Sequence, residues 1–210
     1  MNSATLNYTE LATDAQVQDT IAAVEARGIK VHLVDTPEQA LEKIHELVPA
    51  GAEIMTGGSQ TLRHIGLEDL LISKAHPWVN LKDAILAENN PEKQGKLRAQ
   101  SVLAPYFLGS VHAISETGEI VIASGSGSQI PSYAFSSRNV IWVAGTQKIV
   151  PTLDAALKRV REYALPQEDK RMKGLGYPGS AITKLLIVEA EPAMLQRNVN
   201  LILVKHLVGV

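Results

Sequence analysis

Three short segments combine glycine or small hydroxyl residues with polar neighbours, and each follows an apolar run that reads as a strand. Thr56-Gly57-Gly58-Ser59-Gln60 is a strand-to-helix turn. Glycine lets the backbone approach a ligand closely, and free amides at a helix start can hold an anion. The same residues also suit a plain tight turn with Ser59 as an N-cap. Ser124-Gly125-Ser126-Gly127-Ser128-Gln129 can form a nest of amides and hydroxyls around a phosphate or carboxylate. It can equally be a simple surface loop. It lacks the Gly-Lys-Ser/Thr of a phosphate-binding loop, and Ile130 stands where the third glycine of a dinucleotide fingerprint belongs. Gly145-Thr146-Gln147-Lys148 sets a cation after a buried strand. There Lys148 can pair with an anionic substrate, or lie solvated over the sheet edge.

Among the carboxylates, Glu116 has the setting that best suits catalysis. In Ser115-Glu116-Thr117-Gly118 it sits at a strand end, where a carboxylate can serve as nucleophile or general base. The alternative is a hairpin tip with Glu116 in water, and the residues alone favour the tip. His32 and His112 lie on apolar strands and read as core or edge residues, while His45 and His206 read as peripheral. His64 follows the glycine turn by about one helical turn and can face it. No histidine spacing suggests a metal. Ser59, Ser126 and Ser128 lack the G-x-S-x-G context of a hydrolase nucleophile. Trp78 and Trp142 read as packing residues.

The elements that must hold these segments alternate. Thr13-Asp14-Ala15-Gln16 has capping-box spacing, Val17, Ile21 and Val24 share a helical face, and Gly28 is a stop. Ile29 to Val34 reads as a strand. Thr36-Pro37-Glu38-Gln39 supplies a second box with proline at the first helical position. Ala52 to Thr56 is a strand, helical stretches follow through Ile65 and from Gly66 to Lys74, and Asn90-Pro91 opens a helix to about Leu103. Phe107 to Ile114 and Glu119 to Ala123 read as an antiparallel hairpin, Ser124 to Ser137 as a loop, and Val140 to Ala144 as a strand. Leu153, Leu157, Val160 and Ala164 line a helix, and strands follow near Ile182 to Glu189 and Val199 to Lys205. This pattern predicts an α/β fold of three layers: a mixed, mainly parallel sheet with helices on both faces. One domain over residues 1–210 is expected, with an N-terminal helix at about 13–28. A C-terminal strand extension at about 180–210 is expected to embrace the core or a second subunit, and its apolar strands can form a homodimer.

With 210 residues, 45% apolar and 20% charged, the chain can bury one substantial core, which argues against disorder. The net charge is −2 with the signs interspersed, so no basic block is available to neutralise nucleic-acid phosphates. Cysteine is absent, which removes disulfides, thiolate zinc sites, cysteine nucleophiles and clusters held by this chain's own thiolates. The N-terminal stretch has no basic region followed by an apolar core. The apolar runs Ile182 to Val188 and Val199 to Val204 are too short to span a bilayer. A cytoplasmic protein with neither nucleic-acid nor membrane partners is expected.

Taken in order, MTGGSQTLRHIGLEDLL (55–71), SETGEIVIASGSG (115–127), SRNVIWVAGTQKIVPTLDAALKRV (137–160) and YPGSAITKLLIVE (177–189) resemble the LUD domain family of lactate-utilisation protein C-like proteins. The resemblance runs from roughly Ile29 onward, and its motifs are specific through their order and spacing. It implies a fold like that of ribose phosphate isomerases, glucosamine phosphate deaminases, coenzyme A transferases and formyltetrahydrofolate cyclo-ligases. There, glycine-rich strand-end loops bind phosphate, sugar-phosphate or acyl-coenzyme A groups. By that likeness the ligand-binding set is Gly57, Gly58, Ser59, Gln60, Thr117, Gly118, Ser124, Gly125, Ser126, Gly127, Gly145, Thr146 and Lys148. Coenzyme A transferases carry a strand-end glutamate in a Ser-Glu-Asn-Gly setting, so Glu116 is the implied catalytic residue, with threonine in place of asparagine. The resemblance also implies L-lactate oxidation to pyruvate beside partners carrying iron–sulfur clusters. Longer relatives continue into cysteine-rich segments, so the cysteine-free sequence matches a clusterless branch with no cofactor of its own. An accessory, anion-binding component is the first expectation. An independent isomerase- or coenzyme A-transferase-type enzyme is the second, and a non-catalytic sensor or scaffold the third.

Overall fold

The computed structural model describes residues 7–210, so the first residues of the N-terminal stretch read for a leader lie outside it. The elements are α1 (Asp14–Ala26), β1 (Lys30–Val34), α2 (Pro37–Leu47), β2 (Glu53–Thr56), α3 (Gln60–His64), α4 (Leu67–Ser73), β3 (Val79–Asn80), α5 (Leu81–Ala87) and α6 (Pro91–Gln100). There follow β4 (Tyr106–Ser110), β5 (Ala113–Ser115), β6 (Ile120–Ser124), β7 (Asn139–Gly145), β8 (Ile149–Val150), α7 (Leu153–Arg159), α8 (Leu165–Gly174), β9 (Lys184–Val188) and β10 (Asn198–Val204).

Both predicted capping boxes form. The Thr13 hydroxyl accepts the Gln16 amide while the Gln16 side chain accepts the Thr13 amide, and Thr36 and Gln39 do the same at α2. Each box satisfies helix-end donors that would otherwise lack partners. Gly28 ends α1 with φ 84°, and a Cβ there would run into the Glu191 carbonyl, so glycine is required twice over.

The main sheet has six strands in the order β1-β10-β7-β4-β2-β3, every pairing parallel. β7 and β10 are adjacent interior strands buried on both faces, in keeping with their mainly apolar sequences. The strand period of two divides their side chains cleanly. Phe107, Val140, Trp142, Leu201 and Leu203 join the core under α1, with Val17 and Val24. Leu108, Ile141, Val143, Ile202 and Val204 point the other way, onto Ala40 and Ile44 of α2 and onto Leu62 and Leu67. A third cluster packs Ala113, Val121 and Ala123 against Ala156 and Val160.

This is a mixed α/β fold built on a parallel sheet, as expected, with one difference in how the strands are shared out. The run Phe107 to Ile114 is not one strand. It breaks after Ser110, and β5 leaves for a separate four-stranded sheet of order β8-β5-β6-β9. The expected hairpin is therefore β5 with β6, which pair antiparallel. At the break, remote segments take up the polar groups: Ser110 Oγ accepts from Lys148 Nζ and His112 Nδ1 accepts from the Ala123 amide. The C-terminal strands likewise do not pair with each other. β9 adds antiparallel to β6, whereas β10, apolar from Leu201 to Val204, enters the main sheet between β1 and β7. Part of the expected 124–137 loop is helical, a wide turn over Ser132–Ser136. Among the described residues no helix is long and apolar enough to cross a membrane.

Candidate functional site

The carboxyl ends of β2, β4, β6 and β7 meet around a cleft of about 850 Å³. Parallel strands converge their end loops there, which is why ligands of such sheets gather at that edge. β2 delivers Gly58 and Ser59, β4 delivers Ser110, the crossing between sheets delivers Val111 and His112, and the turn after β7 delivers Lys148. α8 and the segment after it, with Arg171, Tyr177 and Thr183, form the outer wall.

Lys148 lies on the floor and is only 2% exposed. Its Nζ donates to Thr61 Oγ1 at 3.0 Å, to Ser110 Oγ at 3.1 Å and to the Val111 carbonyl at 3.1 Å. All three acceptors are neutral, and Lys148 forms no ion pair with a carboxylate among the described residues. Burial, followed by the nearby Arg159 charge, pushes its pKa well below the ordinary lysine value.

Beside it, His112 Nδ1 accepts the Ala123 amide at 3.1 Å. That bond leaves the proton of the neutral ring on Nε2, and the part-exposed ring lines the cleft. Burial, then the charges of Lys148 and Arg159, lower His112 to about 3, so it is a neutral hydrogen-bond donor at working pH. Arg159 is fully buried behind the floor and donates through Nη1 to the His112 carbonyl. Its guanidinium lies 5.6 Å from the Tyr8 ring and 5.1 Å from the Tyr163 ring, and Nε and Nη2 have no hydrogen-bond partner. The floor thus presents an amine, an imidazole N–H and hydroxyls, backed by a second cation.

The rim repeats the sign. Arg63 pairs with Glu68 at 2.6 Å and Arg171 with Glu168 at 2.6 Å, while Arg98 has no ion pair among the described residues. Cationic side chains outnumber side-chain carboxylates around the cleft, and Glu68 and Glu168 are already paired with arginine. Such a cavity attracts an anion by Coulomb focusing and holds it by oriented donors. Among the described residues no group of three or more His, Asp or Glu side chains is placed to hold a metal.

The sequence-predicted residues divide. Gly58, Ser59, Gln60, Ser124, Gly125, Ser126 and Lys148 come together around the cleft, with Ser128 and Gln129. A Cβ on Gly58 would meet no protein atom and its φ is not positive, so neither packing nor backbone conformation requires glycine there. Gly57 faces the Gln129 side chain and an adjoining cavity. Ser59 caps α3, accepting the Leu62 amide at 3.2 Å. The serine-glycine loop is tied down: Ser124 Oγ accepts the Gly127 amide at 2.8 Å and Thr183 Oγ1 donates to the Gly125 carbonyl at 2.6 Å. Gly127 packs on the Lys184 stem with φ 83°. Gly145 and Thr146 are buried behind the floor and do not line the cleft; a Cβ on Gly145 would strike the Gln147 side chain and the His206 carbonyl.

Glu116, Thr117 and Gly118 lie at the opposite end of the hairpin. Glu116 is four residues from His112, roughly 13 Å along an extended chain. Its carboxylate accepts Gln16 Nε2 of α1 at 2.8 Å, and its amide donates to the Val150 carbonyl at 2.8 Å. Gly118 takes φ 99° at the tip. The most perturbed carboxylate there is Glu119. Burial alone would raise it, but the Ser115 and Thr117 hydroxyls, the backbone and Arg27 together hold it at about 2. The sequence reading missed Thr61, Ser110, His112 and the rim arginines. The available signal was a polar pair, Ser110 and His112, inside an otherwise apolar run.

The LUD domain family matches residues 17–179. A search of curated proteins found no match. Among solved structures, a DUF162 family protein from Deinococcus radiodurans is similar with a TM-score of 0.52 at 13% identity, covering 93% of this chain and 98% of that one. eIF2B beta from Chaetomium thermophilum is similar with a TM-score of 0.40 at 12% identity, covering 57% of this chain and 44% of its own. At 13% identity the first likeness speaks to the fold alone. The family match spans most of the chain, including the β2, β4, β6 and β7 ends that frame the cleft. The chain belongs to the LUD domain family.

Proposed function

We propose that this protein is a cluster-free, small-anion-binding accessory component of L-lactate utilisation, acting in the cytoplasm beside partners that carry iron–sulfur clusters. The observation that carries the reading is Lys148: a buried lysine at the cleft floor whose partners are all neutral oxygens. An uncompensated buried charge is costly, and an arriving carboxylate or phosphate relieves that cost. The lactate context comes from family membership. The chain has no cysteine, so thiolate-held clusters belong to partners.

A second reading, an independent isomerase- or coenzyme A-transferase-type enzyme, is favoured by the lowered basicity of Lys148. An unprotonated amine is both a base and a nucleophile. In that reading Lys148, rather than Glu116, faces the phosphorylated or acyl-coenzyme A substrate.

Thermal-shift measurements against lactate, pyruvate, sugar phosphates and coenzyme A thioesters test both readings. A ligand at 100 times its Kd adds roughly 2.7 kcal/mol to the native state and raises Tm. The expected result is a shift that is lost in Lys148→Met and kept in Glu116→Gln. A shift kept in Lys148→Met and lost in Glu116→Gln would move the site to the hairpin tip. Turnover of a phosphorylated or thioester substrate by the isolated chain would favour the enzyme.

A further inference from the structure

A second cavity of about 490 Å³ adjoins the cleft, between α4 and α5, with Ser59 and Glu68 as walls of both. Its character is different. Leu62, Leu67 and Leu71 form a buried apolar lining, while Ile72 and Leu86 stand at its edge 71% and 65% exposed. Large apolar side chains in water around a concavity mark a surface that gains free energy when an apolar group covers it.

Charge at the shared wall points the same way as the cleft. Glu68 is paired with Arg63 on the cleft side, and Lys82 lies on the cavity side with no ion-pair partner among the described residues. Burial is the main influence lowering the Lys82 pKa, opposed by Glu68 and reinforced by Arg98 and Arg63. On the cavity side Lys74 is paired with Asp83, so with Glu68 held by Arg63 the cation left over at the shared wall is Lys82, with Lys148 on the cleft floor and an apolar slot on the far side. Size adds a constraint. A cleft of about 850 Å³ lies in the range that encloses drug-sized ligands, far more than a three-carbon hydroxy acid fills.

We propose that the ligand of this site is an organic anion with an apolar chain, its charged head among Lys148, Arg63 and Lys82 and its chain in the cavity between α4 and α5. The proposal rests on the anion-site reading above and names the ligand class for it. A short acid such as lactate occupies only the polar compartment; a longer 2-hydroxy acid extends its chain into the apolar one.

Isothermal titration of the full chain with straight-chain 2-hydroxy acids, from lactate to 2-hydroxyoctanoate, tests this. Each added methylene should tighten binding by about fourfold until the cavity is filled, the effect of removing one CH₂ from water. Ile72→Asn and Leu86→Asn, at exposed positions that the fold tolerates, should flatten that dependence while leaving the lactate Kd unchanged. Equal affinity for lactate and 2-hydroxyoctanoate, both lost in Lys148→Met, would overturn the apolar-chain proposal and leave the anion site standing. Absence of binding by every acid would overturn both. A chain-length dependence unaltered by Ile72→Asn and Leu86→Asn would place the chain elsewhere and also overturn the proposal.

Discussion

At the scale of single residues, the site is defined by titratable groups held away from their ordinary charge states. His112 has a lowered pKa of about 3 against 6.5 in an unfolded chain. Between those values the unfolded state binds a proton that the folded state refuses. His112 therefore contributes stability that is fully present above pH 6.5 and is lost as pH falls toward 3, with a slope of about 1.4 kcal/mol per pH unit where the difference is one proton. Lys148 has the same sign at higher pH: its folded value is depressed, so stability rises with pH up to the unfolded value of 10.5. Denaturant unfolding followed across pH should show a shallower acid slope in His112→Asn and a shallower alkaline slope in Lys148→Met. Parallel profiles for wild type and both variants would mean that neither group is perturbed as described. In the sequence Lys148 stood out only as a candidate cation and His112 not at all, for one reason. A histidine and a lysine beside apolar strands look like edge residues until the partners arrive: the Ala123 amide for His112, Thr61 and Ser110 for Lys148.

At the scale of elements, local chemistry was legible wherever the partner lies within a few residues. The boxes at Thr13 and Thr36, Pro37 and Pro91 at helix starts, and the Gly28 stop all form as read. The two-sheet division was not legible, because the break after Ser110 depends on groups from remote segments. Lys148 meets Ser110 and Val111, and Arg159 meets the His112 carbonyl. β4 carries a further constraint at Gly109, where a Cβ would overlap the Tyr133 hydroxyl. Tyr133 is buried and packs edge-on against Phe107 and Trp142, so it cannot swing away freely. Gly109→Ala should destabilise the protein by about 1–3 kcal/mol, the usual cost of overpacking, and disturb the neighbouring Ser110. Equilibrium unfolding checks this, and a stability equal to wild type would show that the Tyr133 contact gives way at no cost. Glu116 shows the complementary case: its Ser-Glu-Thr-Gly setting is readable as a strand end, but a motif does not say which end faces the cleft, and Glu116 does not line it.

At the scale of the whole molecule, the parallel order of the main sheet fixes where chemistry can occur. It aligns the ends of β2, β4 and β7 on one edge and sets the β5–β6 hairpin across them. Glycine-rich turns, readable in the sequence as ligand candidates, then supply one wall, and long-range partners supply the cationic floor. Proton linkage examines that floor directly. Isothermal titration with lactate and with inorganic phosphate, at about pH 8.5 in buffers of different ionisation enthalpy, reports protons taken up on binding; this pH is roughly two units below an ordinary lysine pKa. An anion beside Nζ raises the lowered Lys148 pKa, so its binding draws protons from the buffer. The expected result is net proton uptake in wild type and both weaker binding and no uptake in Lys148→Met. Equal affinity in the two proteins, with no uptake in either, would contradict an anion site built on Lys148.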